Sequence, residues 1–130
     1  MAKLASISPV SDEDTNALPV KSMTVAIAFY EKVLGFAVVK RESSRAVLRR
    51  DEVQIGLLHK PDHEPEQAGS IAIAVDDLEA MRRELDGSGG EPGELGIDEW
   101  NGNRYRTFFV REAENGYCYC FYAPVPVNLK

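Results

Sequence analysis

Cys118 and Cys120, in the stretch AENGYCYCFY at 113–122, are the only two cysteines in the chain and stand one residue apart. That pair admits three chemistries: ligation of a soft metal, redox exchange, or none, with two small side chains filling a wall. On a strand both point to the same face, about 7 Å apart along the chain, which is too far for an unstrained disulfide. A C-x-C pair alone also lacks the further thiolates or imidazoles that a stable metal site uses. Packed, unreactive thiols are the expectation. The two histidines, His59 and His63, have the i, i+4 spacing of a helical metal site, but Pro61 and Pro65 oppose a helix there, so both read as linker residues. Ser70 has no His or Asp close in sequence to activate it as a nucleophile. No G-x-G-x-x-G or P-loop pattern is present.

These residues need a scaffold, and 130 residues suffice for one domain. The apolar and charged fractions, 44% and 28%, are ordinary for a globular protein. A net charge of −6 argues against nucleic acid, which requires a basic patch, and suits a cationic ligand. No apolar run approaches the ~20 residues of a membrane span. The opening residues MAKLASISPVSDEDTN contain no apolar signal core. Residues 1–14 are therefore expected as a flexible tail, 125–130 as a second tail, and the cytoplasm as the location.

Between the tails the apolar pattern alternates between two periods. ALPV (17–20) reads as a strand, and Ser22 as the N-cap of a helix over MTVAIAFYEKVL, with Val25, Phe29 and Val33 on its stripe and Ala26, Ile27 and Tyr30 widening it. Gly35 ends that helix. Three strands follow, FAVVKR, RAVLRR and VQIGLLH, the last placing Gln54 on the face opposite Val53, Ile55 and Leu57. After the linker KPDHEPEQAG comes SIAIAV, with Ile71, Ile73 and Val75 on one face and the small Ser70, Ala72 and Ala74 on the other. Asp77 caps a second helix carrying Leu78, Met81 and Leu85. A flexible GEPGELGIDEWNGN leads to two strands, RYRTFFVRE and YCYCFYAP, joined through Asn115-Gly116.

The order strand, helix, strands occurs twice. Ser22 and Asp77 open the two helices, and Gly35 and Gly90 close them, at one common offset. Two βαβββ modules, about 15–60 and 69–124, predict a single α+β domain over 15–124. It is a curved mixed sheet around a cavity, with the helices on the outer face.

Three stretches carry a resemblance: PVKSMTVAIAFYEKVLGF (19–36), AIAVDDLEAMRREL (72–85) and RTFFVREAENGYCYCF (106–121). Together they resemble the vicinal oxygen chelate superfamily of glyoxalases, extradiol dioxygenases, fosfomycin-resistance enzymes and bleomycin-resistance proteins. Glu112-Ala113 departs from that family's usual Asp-Pro. The resemblance marks four positions as metal ligands, and here they are Thr15, Gly56, Ser70 and Cys120. Hydroxyls, a glycine and one thiol are a poor set for a divalent ion.

The likeness is nearest to the metal-free bleomycin-resistance branch. It implies a small-molecule binding protein without cofactor, a homodimer that sequesters a cationic or aromatic antibiotic, and no nucleic-acid or membrane partner. The expected ligand wall comprises Trp100, Tyr105, Phe109, Cys118, Cys120, Tyr122, Ser70 and Gln54, with Trp100 and Tyr105 as a lid. Two alternatives stand beside it. One is a metal-dependent lyase or isomerase of the glyoxalase type that recruits Cys120, Glu112 or His59. The other is an interaction module whose aromatics at 100, 105, 109 and 122 pack together and leave no void.

Overall fold

A computed structural model describes residues 2–10 and 14–125. Among these, nine strands and two α-helices follow the repeated order. They are β1 (Leu4–Pro9), β2 (Leu18–Val20), α1 (Met23–Lys32), β3 (Ala37–Arg41), β4 (Arg45–Arg50), β5 (Val53–His59), β6 (Ser70–Val75), α2 (Leu78–Gly87), β7 (Gly96–Trp100), β8 (Asn103–Arg111) and β9 (Cys118–Pro124).

The strands divide into two mixed sheets, ordered β2-β5-β4-β3 and β1-β6-β9-β8-β7, and no barrel closes. Without β1 the two orders are the same: first strand, last strand, third, second. In each module the first and last strands run parallel, and the other pairs within the module are antiparallel. The α+β architecture and the duplication are those expected, with two sheets in place of one.

Local chemistry sets the helix ends. Ser22 Oγ accepts from Val25 N at 3.2 Å and Asp77 Oδ1 from Ala80 N at 3.0 Å, each satisfying an orphan amide of a first turn. Gly35 has φ +79° after α1; after α2 the left-handed residue is Gly89, not Gly90. On α2 the buried residues are Leu78, Met81 and Leu85, as the periodicity predicts.

On α1 the buried stripe is Met23, Ala26, Ile27 and Tyr30, while Val25 is exposed and Phe29 and Val33 are half-buried. The stripe turns because α1 also packs across the module boundary. Phe29 stacks on Tyr119 of β9 at 5.8 Å, and the buried Tyr30 and Tyr119 hydroxyls bond at 2.7 Å.

Two segments depart from the expectation. Residues 4–9, read as part of a loose tail, form β1 and pair antiparallel with β6, Ile7 opposite Ile73 and Ser8 opposite Ala72. Leu4 is buried, and its amide donates to Asp51 Oδ2 at 2.9 Å. The segment read as flexible ahead of β8 contains β7, an edge strand. Its hairpin turn is Asn101-Gly102, with φ +51° and +79°, the positive pair that a tight hairpin requires. Of the expected C-terminal tail, 126–130 lie outside the described residues, and Val125 N donates to Arg104 O at 3.1 Å.

Arg50 ties the modules together at their helix ends. Its buried guanidinium donates to Leu34 O, to Ala2 O, and through two nitrogens to the Glu84 carboxylate of α2 at 2.5 and 2.9 Å. A fork with all four terminal N–H donors directed at oxygen, and Nε 3.5 Å from the Asp51 carboxylate, is the geometry that makes a buried arginine tolerable. At the other end, Asn115 Oδ1 accepts from Lys21 N and Ser22 N at the start of α1.

Candidate functional site

The helices cover one face of each sheet and leave the other bare, so a strand's alternation decides which side chains the bare face presents. In the five-stranded sheet the pairing aligns these side chains in rows. Ser8, Ala72, Cys120 and Phe109 form one row; Ser6, Ala74, Tyr122 and Thr107 form the next; Ser70, Cys118 and Arg111 form a third. Residues 70, 72 and 74 are small, and bulk enters only from the neighbouring strands. The opposite face, with Ile71, Ile73, Phe108, Tyr119 and Phe121, is buried against the helices.

At the open end of this face lies a cavity of about 520 Å³. Trp100 of β7, Tyr105 of β8 and Tyr122 of β9 line it as a mutually packed trio, with centroids 5.0 Å apart for Trp100–Tyr105, 5.8 Å for Trp100–Tyr122 and 5.5 Å for Tyr105–Tyr122. Both pairs that include Tyr122 meet edge to face, an arrangement that fixes each ring while leaving other faces free. Ala72 and Ser8 also line the cavity, and Glu99 brings a carboxylate. Apolar walls with a few polar groups are the general make-up of a small-molecule site.

The eight expected wall residues separate into groups. Trp100, Tyr105 and Tyr122 line the cavity together. Trp100 and Tyr105 do so as side chains of the β7–β8 hairpin, not as a loop lid. Cys118, Cys120, Ser70 and Phe109 share the same sheet face but lie outside the cavity lining, and Phe109 is 45% exposed. Gln54 is exposed on β5 in the other sheet, paired with Arg49, and belongs to a different surface. Sequence reasoning missed the contribution of β1, Ser8 to Val10. The signal present was the alternation of Ser6 and Ser8 with Ile7. The aromatics at 100, 105 and 122 do pack on one another, yet they border a void; Phe109 stands apart from them.

The thiols are held protonated. Burial pushes Cys120 up to about 12, with the nearby Asp98 carboxylate and Cys118 adding to the shift. Burial also raises Cys118, partly offset by Arg111 and by a hydrogen bond with Ser70. Neither presents a thiolate near neutral pH, and a thiolate is the form that attacks or ligates.

The four positions marked for a metal do not form a donor set. Gly56 has no side chain, and a Cβ there would lie 1.9 Å from Asn16 O, because residues 15 and 16 cross directly over it; Gly56 N donates to Thr15 O at 2.9 Å. Ser70 is bonded to Cys118, and Cys120 is a neutral thiol. Among the described residues, no group of three or more His, Cys, Asp or Glu side chains is arranged to hold an ion.

The other singled-out groups serve the frame. His63 is buried, its ring stacked on Tyr117 at 5.8 Å and its Nε2 2.9 Å from Asn115 O, where the carbonyl accepts. The buried Glu112 accepts from Asn115 N at 2.6 Å and Asn115 Nδ2 at 2.7 Å, holding the β8–β9 loop that the unusual Glu-Ala opens. Among the described residues, no helix is long and apolar enough to cross a membrane.

Comparison with known proteins places this geometry. A bleomycin-binding protein complexed with bleomycin superposes with a TM-score of 0.72 at 21% identity, over 88% of this chain and 100% of that one. A bleomycin resistance determinant encoded on the transposon Tn5 gives 0.70 at 21%, over 89% and 100%. The bleomycin-binding protein of bleomycin-producing Streptomyces verticillus, complexed with copper(II)-bleomycin, gives 0.60 at 19%, over 82% and 90%. These likenesses establish the fold. No curated protein sequence matches the chain. The profile of the Glyoxalase/Bleomycin resistance protein/Dioxygenase superfamily matches residues 13–117, and the chain belongs to that superfamily.

Proposed function

We propose that this chain is a binding protein of the bleomycin-resistance type, which holds an aromatic or cationic small molecule in the Trp100–Tyr105–Tyr122 cavity without metal and without turnover. One observation carries the reading: a cavity of about 520 Å³ whose aromatic trio comes from three adjacent strands, beside two thiols held protonated. Rings held in that way give stacking and cation–π attraction with little ordering cost on binding. Glu99 and a chain charge of −6 favour a positive ligand.

Metal independence is supported by the crossing of residues 15 and 16 over Gly56, which takes the place of a ligand. The bare face supports a homodimer: Phe109 and Trp100 are 45% and 41% exposed, apolar area that a second copy would bury. Antibiotic sequestration in the cytoplasm is the role that follows.

A thermal-shift titration with bleomycin, run with and without chelator, tests the reading. A ligand bound only by the folded state stabilises it, by about 2.7 kcal/mol at a hundredfold excess over Kd. A rise in Tm that chelator leaves intact is expected. A flat response, or activity that appears with a stoichiometric metal, overturns it.

A further inference from the structure

The duplication creates a second hollow, equivalent in position but opposite in chemistry. The β3–β4 hairpin holds the place in its sheet that β7–β8 holds in the other. Where the second module has Glu99, Trp100 and Tyr105, the first has a cavity of about 140 Å³ lined by Asn16, Lys40, Glu42, Arg45 and Val47. Residues 40–50, KRESSRAVLRR, contain five of the 15 basic residues of an acidic chain and one carboxylate.

Four arginines of the fold are already engaged by oxygen acceptors. Arg50 is bound to Glu84, Arg106 to Glu79, Arg49 to Asp51 O and Arg82 to Gly93 O. Lys40 has only a surface pair with Glu42, at 3.6 Å and with both side chains more than half exposed. Arg45 makes no ion pair or side-chain hydrogen bond with any described residue. A free guanidinium at a hollow, with an ammonium and an amide beside it, is matched by a planar or tetrahedral anionic group that accepts paired N–H bonds.

We propose that this first-module hollow is a subsite for the carboxylate or phosphate group of a small molecule, gripped by Arg45 with Lys40 as the second positive charge. It is separate from the aromatic cavity and does not depend on what that cavity binds.

Backbone amide NMR at constant ionic strength tests it, with inorganic phosphate and acetate titrated against chloride. Saturable shifts at residues 16 and 40–47 with phosphate or acetate are expected, the stronger of the two identifying the group. Arg45→Gln should weaken that binding at least fivefold while its spectrum stays dispersed, and Arg45→Lys should retain part of it. Shifts that stay linear and match chloride overturn the proposal. So do saturable shifts that Arg45→Gln leaves unchanged. Tryptophan emission from Trp100, recorded in the same samples, reports the aromatic cavity and separates the two sites.

Discussion

Ser88 Oγ donates to Val33 O at 2.9 Å, and these two residues are the C-caps of α2 and α1. They lie 55 positions apart, the same spacing that separates the N-caps Ser22 and Asp77. Equivalent residues of the two modules thus touch each other where the helices end, as expected at a local two-fold axis. The bond joins the halves of the duplication, with Arg50 beside it reaching Leu34 O and Glu84.

Removing Arg50 should be among the most damaging changes. Arg50→Met orphans two backbone carbonyls and leaves the half-buried Glu84 carboxylate without its partner. Loss of one member of such a pair costs about 3–5 kcal/mol. Adding Glu84→Leu should recover part of it. Urea denaturation of the single and double variants measures both.

The Tyr30–Tyr119 contact gives a cleaner cycle. Either Tyr→Phe change alone leaves a buried hydroxyl without its partner, a penalty of about 1–3 kcal/mol. The double change removes both hydroxyls and should cost less than the sum of the two. Additive costs in a double-mutant cycle would show that the hydroxyls do not act as a pair.

Gly56 is required by its neighbour. Gly56→Glu, which puts a carboxylate at a position that the family resemblance marks for a metal ligand, should displace residues 15 and 16 and lower Tm without conferring metal affinity. Calorimetry with zinc and manganese on the folded fraction checks this.

Cys120 should be silent to iodoacetamide at pH 8 while the chain is folded and should react in urea. Its folded pKa, about 12, lies above the ordinary 9.0, so the folded state keeps its proton longer than the unfolded state. The stability this contributes is complete below about pH 9 and is lost as pH climbs toward 12. Cys120→Ala should flatten the fall in stability between those values.

Much of this was legible because it is local. Caps, turn glycines and strand alternation depend on neighbours in sequence, so both helices, seven of the strands and the bare face of β9 could be read directly. The missed elements owe their structure to distant partners. β1, with Ser6, Ser8 and Pro9 in six residues, has little strand character of its own and is ordered by β6 and by Asp51. β7 is exposed along its whole length and exists through its pairing with β8. The stripe of α1 shifted because Tyr119, 89 positions away, meets Tyr30. For the site, alternation assigned the correct face to Phe109 and Cys120 but carries no information on where along that face the hollow lies.

Trp100 is the only tryptophan in the chain and lines the proposed binding cavity, so its emission reports that site alone. Titrating metal-stripped protein with bleomycin should quench or shift that emission saturably, and Tyr105→Ala with Tyr122→Ala should weaken binding at least tenfold. Emission that stays unchanged at a hundredfold excess of ligand, or saturation that ignores both substitutions, would contradict the account.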